Sequence, residues 1–259
     1  MSENLEFKIT KLILEHSMKD LIEFADSDVI IVGAGPSGMT AAKYLADKKL
    51  KVLVLERKLS FGGGIGGGGN LMHKIVIKSD ALKIIKDFEI EYKKTEFEDL
   101  YTLDASELIS KLATGAINSG AKILFGYSVE DLIVREKPLR VSGVVVKWSA
   151  IDLAQLHVDP IFFTGKAILD ATGHDAELIK ILAKKNPSFA INVKNESSAH
   201  AELGEKQVVE FSGKVCDGLY AAGMSVATLH GLYRMGPIFS GMLISGKKVA
   251  ELISKELGK

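Results

Sequence analysis

Gly33-Ala34-Gly35-Pro36-Ser37-Gly38 follows a short apolar run and opens a segment of helical periodicity, so its G-x-G-x-x-G spacing is that of a dinucleotide-binding turn. Gly33 makes the tight turn and Gly35 lets a pyrophosphate reach the backbone. Gly38 lets the helix lie close to the strand, and the helix amino terminus offers unpaired N–H groups to the anion. Glu56 ends the next apolar run, at the spacing of a carboxylate that accepts from ribose hydroxyls. A carboxylate there favours a free 2′-hydroxyl, hence NAD over NADP, while Arg57 beside it argues the other way. Soon after comes Gly62–Gly69, interrupted only by Ile65, which reads as a second close approach of backbone to a ligand.

These residues need a strand–turn–helix–strand unit to hold them. The sequence predicts a strand near Asp28–Val32, a helix from about Ser37 to Asp47 and a strand over Lys51–Leu55, a βαβ unit with the usual crossover hand. The segment Lys74–Lys78 reads as extended, and helices are expected over Asp80–Phe88 and Asp104–Asn118. Strands follow at Lys122–Tyr127, Glu130–Arg135 and Val141–Trp148, the last two hairpin-like around Lys137–Pro138. Lys166–Asp170 reads as a buried strand, a helix follows His174, Asn186–Gly204 is loop-rich, and a strand at Gly218–Ala222 precedes a helix from about Ile238 to Leu257. The fold class is therefore α/β, a Rossmann-type βαβ parallel sheet with a smaller antiparallel sheet inserted at about 122–150. A single domain spans 1–259. Its N-terminal helical arm, about 1–26, carries Leu12, Ile13, Leu14, Met18, Leu21, Ile22 and Phe24 at helical intervals, a face to pack on the body or on a neighbour.

Composition narrows the function. The 33 Lys and Arg balance 33 Asp and Glu, so the net positive charge that phosphate neutralisation usually demands of a nucleic-acid binder is missing. Cys216 is the only cysteine, which excludes a disulfide framework or a multi-cysteine metal site within one subunit and suits a reducing compartment. No run approaches a membrane span, and the acidic amino terminus is unlike a signal peptide; a cytoplasmic protein is expected.

Several strings occur together and in order: VGAGPSG, the GGGIGGGG tract with LMHKIVI, LHVDP, DATGHDA, and GMSVATLHGLYRMGPIFSGMLISGKKVA. At the level of fold this order resembles the flavoprotein-like dinucleotide-binding proteins. In many of those the late strand ends in Gly-Asp, and here Met224 follows Gly223. The finer match, over nearly the whole chain, resembles the thiamine thiazole synthase family. That resemblance implies a homo-oligomer, an octamer with active sites shared between subunits, that converts NAD and glycine into an adenylated thiazole carboxylate, the thiazole precursor of thiamine. Eukaryotic members carry a cysteine before x-Asp-Pro and surrender its sulfur. Here His157 stands in that place, in His157-Val158-Asp159-Pro160, and an imidazole has no sulfur to give. The chain thus resembles the archaeal-type, multiple-turnover form that uses free sulfide and Fe(II).

The family pattern carries the metal role onto Asp159 and His174, the latter in Thr172-Gly173-His174-Asp175, on adjoining subunits. Arg234, in Tyr233-Arg234-Met235-Gly236-Pro237, matches the residue that binds the glycine carboxylate, a role a guanidinium fork suits. Ser37, Glu56, Arg57, Gly64, Val129, His157 and Met224 match nucleotide contacts, with Val129 and Met224 acting through backbone or packing. His157 is expected either to orient ribose or pyrophosphate or to act on protons. His73 and His230 lie in family-like strings but read as structural. Taken without the family, a lone His or Asp is more often a hydrogen-bonded structural residue than a ligand, and Cys216 more often small apolar packing than a sulfur donor. A flavin-dependent oxidoreductase, a non-catalytic NAD or thiazole carrier, and a sugar-phosphate isomerase are the competing readings.

Overall fold

Strand-forming Val and Ile runs alternate with Ala- and Leu-rich helical segments, and the computed structural model, which describes residues 4–259, turns that alternation into a layered α/β architecture. In chain order the elements begin with α1 (Leu5–Phe24), β1 (Asp26–Val32), α2 (Pro36–Asp47), β2 (Val52–Glu56), β3 (Lys74–Lys78), α3 (Leu82–Asp87), β4 (Lys93–Lys94), β5 (Leu100–Asp104) and α4 (Ala105–Ser119). Then come β6 (Lys122–Phe125), β7 (Tyr127–Glu136), β8 (Leu139–Trp148), α5 (Ser149–Leu153), β9 (Ile161–Asp170) and α6 (Glu177–Lys185). The chain ends with β10 (Ser197–Ala199), α7 (Ala201–Phe211), β11 (Gly213–Cys216), β12 (Leu219–Ala221), α8 (Met224–His230), β13 (Tyr233–Arg234) and α9 (Ser240–Glu256).

An eight-stranded sheet runs β11-β12-β9-β1-β2-β6, with the β7–β8 hairpin attached to β9 through β8. β12, β9, β1, β2 and β6 are mutually parallel. β1 and β2 are buried on both faces, as a covered parallel sheet requires. Val29, Ile31, Val52 and Val54 enter one core with α2, α4 and α9. Ile30, Val32, Leu53 and Leu55 enter the other with α6, α7 and α8. The period of two along each strand makes this division.

The antiparallel strands are distributed differently from the sequence expectation. Lys122–Phe125 is an edge strand of the parallel sheet, and the hairpin after it continues the same sheet by pairing with Ile161–Thr164 of β9. The separate antiparallel sheet is β3-β5-β4. Its strands β4 and β5 lack strong alternation, which is why only Lys74–Lys78 was legible. α7 likewise starts inside the stretch read as loop, capped by the His200 ring, whose Nδ1 accepts the Leu203 N–H at 3.3 Å. α1 keeps its helical periodicity but leaves Leu12, Ile13, Leu14, Met18 and Ile22 exposed, and only Phe24 is buried. Among the described residues no helix is long and apolar enough to cross a membrane.

Glu205 of α7 is buried against the first turn of α9, where its Oε2 accepts the Gly241 N–H at 2.9 Å and its Oε1 has no hydrogen-bond partner among the described residues. Burial pushes its carboxyl up to about 7, with the Asp80 carboxylate adding to the effect. The folded protein therefore holds a proton there that the unfolded chain has released. The stability this contributes is present below the ordinary carboxylate value and is lost as pH rises through about 7. Glu205→Gln is expected to remove the loss, on the order of 2 kcal/mol at pH 8. Its melting temperature relative to wild type should rise by about 4 °C or more between pH 5 and pH 8. Parallel melting curves for the two proteins across that range would refute this.

Candidate active site

Gly33, with φ +104°, turns the chain out of β1 beneath the Ala171 carbonyl; a Cβ on Gly33 would stand 2.4 Å from that oxygen. A Cβ on Gly38 would stand 2.1 Å from the Gly33 carbonyl oxygen, so α2 can approach the strand only with glycine there. Gly35 differs. Its φ of −79° suits any residue, and a Cβ there would meet nothing within 4 Å. The missing side chain leaves open space in front of α2, whose first turn begins with Pro36 and has no side-chain cap. Its N–H groups thus face the opening, with the positive end of the helix dipole behind them.

The glycine tract folds back over this turn. Ile65, its one side chain, is fully buried and pins the loop in the core. The Gly62 N–H donates to the Ala34 carbonyl at 2.7 Å, which lays the tract beside the first turn. Glu56, also buried, accepts the Ala34 N–H on Oε2 and the Lys58 N–H on Oε1, each at 2.9 Å, and each oxygen keeps a lone pair for a further donor.

A cavity of about 520 Å³ opens over these elements. Gly33, Gly35, Ser37, Glu56, Arg57, Gly64, Val129, His174, Met224 and Arg234 all line it. Residues from both ends of the chain and its middle thereby share one space. Gly38 lies behind the turn, and His157 and Asp159 lie in the exposed loop before β9, outside the lining.

The Ala171-Thr172-Gly173-His174 turn is organised by Asp170, wholly buried at the end of β9. Its Oδ1 accepts the Thr172 N–H and hydroxyl at 3.0 and 2.7 Å, and its Oδ2 accepts the Ile179 N–H at 3.1 Å. Burial raises this carboxyl, and those donors oppose the shift. Arg57 reaches from the end of β2 to the start of α6, pairing with Asp175 at 2.7 Å and with Glu177. Its fork is thus held by two carboxylates. His174 Nδ1 lies 2.5 Å from Glu196 Oε1, and Arg234 Nε lies 3.5 Å from Glu196 Oε2.

The model of the Thi4 family matches residues 10–239. The chain belongs to the Thi4 family. It is 55% identical over 256 residues to the thiamine thiazole synthase of Archaeoglobus fulgidus, covering 99% of this chain and 97% of that one. It is 53% identical over 253 residues to the thiamine thiazole synthase of Pyrobaculum aerophilum, covering 98% and 97%. The crystal structure of Thermovibrio ammonificans THI4 superposes with a TM-score of 0.95 over the whole of both chains, at 37% identity. The fold is accordingly the flavoprotein-like dinucleotide-binding α/β fold of that family.

Ferrous iron, implied by the family, can be judged against this family member's own donors. His174 has its Nδ1 engaged by Glu196, which leaves Nε2 as the ligating nitrogen, and imidazole with carboxylate suits a divalent iron. Among the described residues, no three His, Cys, Asp or Glu side chains of one chain converge into a metal site. The donor set therefore fits in kind, His174 at the cavity and Asp159 exposed in the loop before β9. Cys216 lies on β11, outside the cavity lining, and burial pushes its thiol up to about 11, so little thiolate forms at neutral pH.

Sequence reasoning missed Glu196, Asp170, Asp175 and Glu177 as site residues. Asp175 is the residue after His174 in the recognised string, but nothing local marks its partner as Arg57. Glu196 sits in a stretch without periodicity, and its partners lie 22 and 38 positions later or earlier in the chain.

Proposed function

We propose that this Thi4-family chain is an enzyme that makes the adenylated thiazole carboxylate precursor of thiamine from NAD, glycine and free sulfide, with Fe(II), over many turnovers. The observation that carries the reading is the single cavity lined at once by the dinucleotide turn, Glu56, His174 and Arg234. Ser37 lends its N–H group, in the first turn of α2, to the NAD pyrophosphate, and Gly38 lets that turn pack against the strand. The free lone pairs of Glu56 take ribose hydroxyls, while Gly64, Val129 and Met224 shape the walls. Arg234 offers two terminal nitrogens to the glycine carboxylate.

Asp159 and His174, from two subunits, would hold the iron, which supplies Lewis acidity and open positions for small ligands. With His157 before Asp159, the protein has no sulfur to donate at that place, so an outside sulfide is required. His157 then serves to orient the nucleotide or to move a proton. The exposed apolar side chains of α1, with Leu153, Leu156, Val158 and Phe162 around the Asp159 loop, support assembly into a homo-oligomer that would bring the two half-sites together.

Anaerobic incubation with NAD, glycine, Fe(II) and sulfide, followed by mass spectrometry with each component left out in turn, tests the whole reading. More than one equivalent of adenylated thiazole per subunit is expected, lost without iron or sulfide. Product that persists without sulfide, or no consumption of NAD, would sink it.

NAD specificity has its own test. A guanidinium after the ribose-binding strand is the group that accommodates a 2′-phosphate in NADP-binding proteins. Here Asp175 and Glu177 occupy it. The double variant Asp175→Asn, Glu177→Gln is expected to raise NADP affinity about tenfold relative to NAD, about 1.4 kcal/mol. Glu56 still faces the ribose, so NAD should remain preferred. Calorimetric titration with both nucleotides reads the ratio, and an unchanged ratio would contradict the assignment.

A further inference from the structure

We propose that Glu196 is a positioning residue for both small-ligand groups of this site, one carboxylate that aims His174 Nε2 and the terminal nitrogens of Arg234 at the cavity together. The inference rests on the reading of His174 and Arg234 given above and extends it to a side chain that does not itself line the cavity. Glu196 instead borders an open surface depression that it shares with Arg234, off the cavity wall.

The geometry is specific. Glu196 Oε1 stands 2.5 Å from His174 Nδ1, and Thr228 Oγ1 donates to the His174 carbonyl at 2.9 Å and reaches the same Oε1 at 3.4 Å. The imidazole is therefore braced through both its ring and its main chain. A carboxylate behind Nδ1 selects the tautomer that leaves Nε2 as the outward lone pair. Glu196 Oε2 engages Arg234 on the Nε side at 3.5 Å, which leaves the end-on pair of guanidinium nitrogens for a carboxylate.

The anchor is more buried than the groups it holds. The Glu196 side chain is 14% accessible, against 56% for His174 and 60% for Arg234. Its backbone neighbours are laced to α8 by Asn195 N–H to the Thr228 carbonyl at 2.8 Å and to the turn after it by Ser197 N–H to the Leu232 carbonyl at 2.9 Å. The β10–β13 pairing, Ser197 with Tyr233 and Ala199 with Arg234, fixes the register between Glu196 and the arginine. Without this carboxylate, both exposed side chains would regain rotamer freedom and would have to lose it again on binding.

Glu196→Ala and Glu196→Gln test the proposal in the full-length protein. Co(II) binding is followed by visible absorption, glycine KM and kcat by product formation, and NAD affinity and melting temperature serve as readouts of the remaining structure. For Glu196→Ala, Co(II) affinity is expected to fall 10–100-fold. Its glycine KM should rise about tenfold while NAD affinity stays within about twofold. Glu196→Gln keeps an amide oxygen for the Nδ1 proton but loses the charge that holds Arg234. It should recover most of the Co(II) affinity and little of the glycine KM. Wild-type values in Glu196→Ala would overturn the proposal. So would a parallel loss of NAD affinity and melting temperature, the mark of a general brace, or Co(II) affinity in Glu196→Gln no better than in the alanine variant. Co(II) affinity unmoved by His174→Ala would instead overturn the metal role of His174, and the proposal with it, which separates the two failures.

Discussion

His174→Ala is expected to lower iron-dependent thiazole formation by at least about a thousandfold, the scale of losing several kcal/mol of charge stabilisation at the reacting centre. The fold should survive. The imidazole is largely exposed, and the contact that ties this turn to α8 is the main-chain carbonyl of His174, which accepts from Thr228 whatever the side chain. NAD affinity should remain near wild type, because Glu56 and the first turn of α2 are untouched. Anaerobic turnover assays with calorimetry on the same preparation check both halves. Turnover within tenfold of wild type would remove His174 from the chemistry, and a matching loss of NAD affinity would recast it as a nucleotide contact.

The second large effect separates two glycines three residues apart. Gly35→Val puts a side chain into the open space before α2 without backbone strain, since its φ is −79°. Stability should change by less than about 1 kcal/mol, the range of helix-cap substitutions. NAD affinity should fall about a hundredfold, near 2.7 kcal/mol, because the β-branched group fills the approach of the pyrophosphate. Gly38→Ala should do the reverse in kind. Its Cβ meets the Gly33 carbonyl oxygen at 2.1 Å, so backbone must shift at a cost of roughly 1–3 kcal/mol, and binding weakens only as the turn distorts. Thermal melts with NAD titrations distinguish the pair. Full NAD affinity in Gly35→Val would mean that the pyrophosphate lies elsewhere.

Much of the fold was legible because its signals are local. The βαβ unit appears in the structure as α2 and two buried strands within a residue or two of their expected limits, since continuous apolar runs of Val, Ile and Leu and a Pro at the first helical position act over a few neighbours. The cavity-lining glycines, Glu56, Arg57, His174 and Arg234 could be named from motif strings, each short enough to survive in sequence. The three-stranded antiparallel sheet was not legible beyond Lys74–Lys78. β4 is two exposed lysines, and its place is set by pairing with Tyr101 and Thr102, not by its own pattern.

The sequence by itself determined that a G-x-G-x-x-G turn is followed by a strand ending in a carboxylate, that His157 stands before Val158-Asp159-Pro160, and which residue types were available for the chemistry. Only the tertiary structure decided that Arg57 is held by Asp175 and Glu177, that Glu196 stands behind both His174 and Arg234, and that Asp159 lies outside the cavity lining. The physical reason is range. Turn geometry and strand burial follow from neighbours a few residues apart, whereas these ion pairs join segments 22 to 120 positions apart. Such pairs form because β2, β9 and β13 end on one side of the fold, and no local pattern in the chain encodes that meeting.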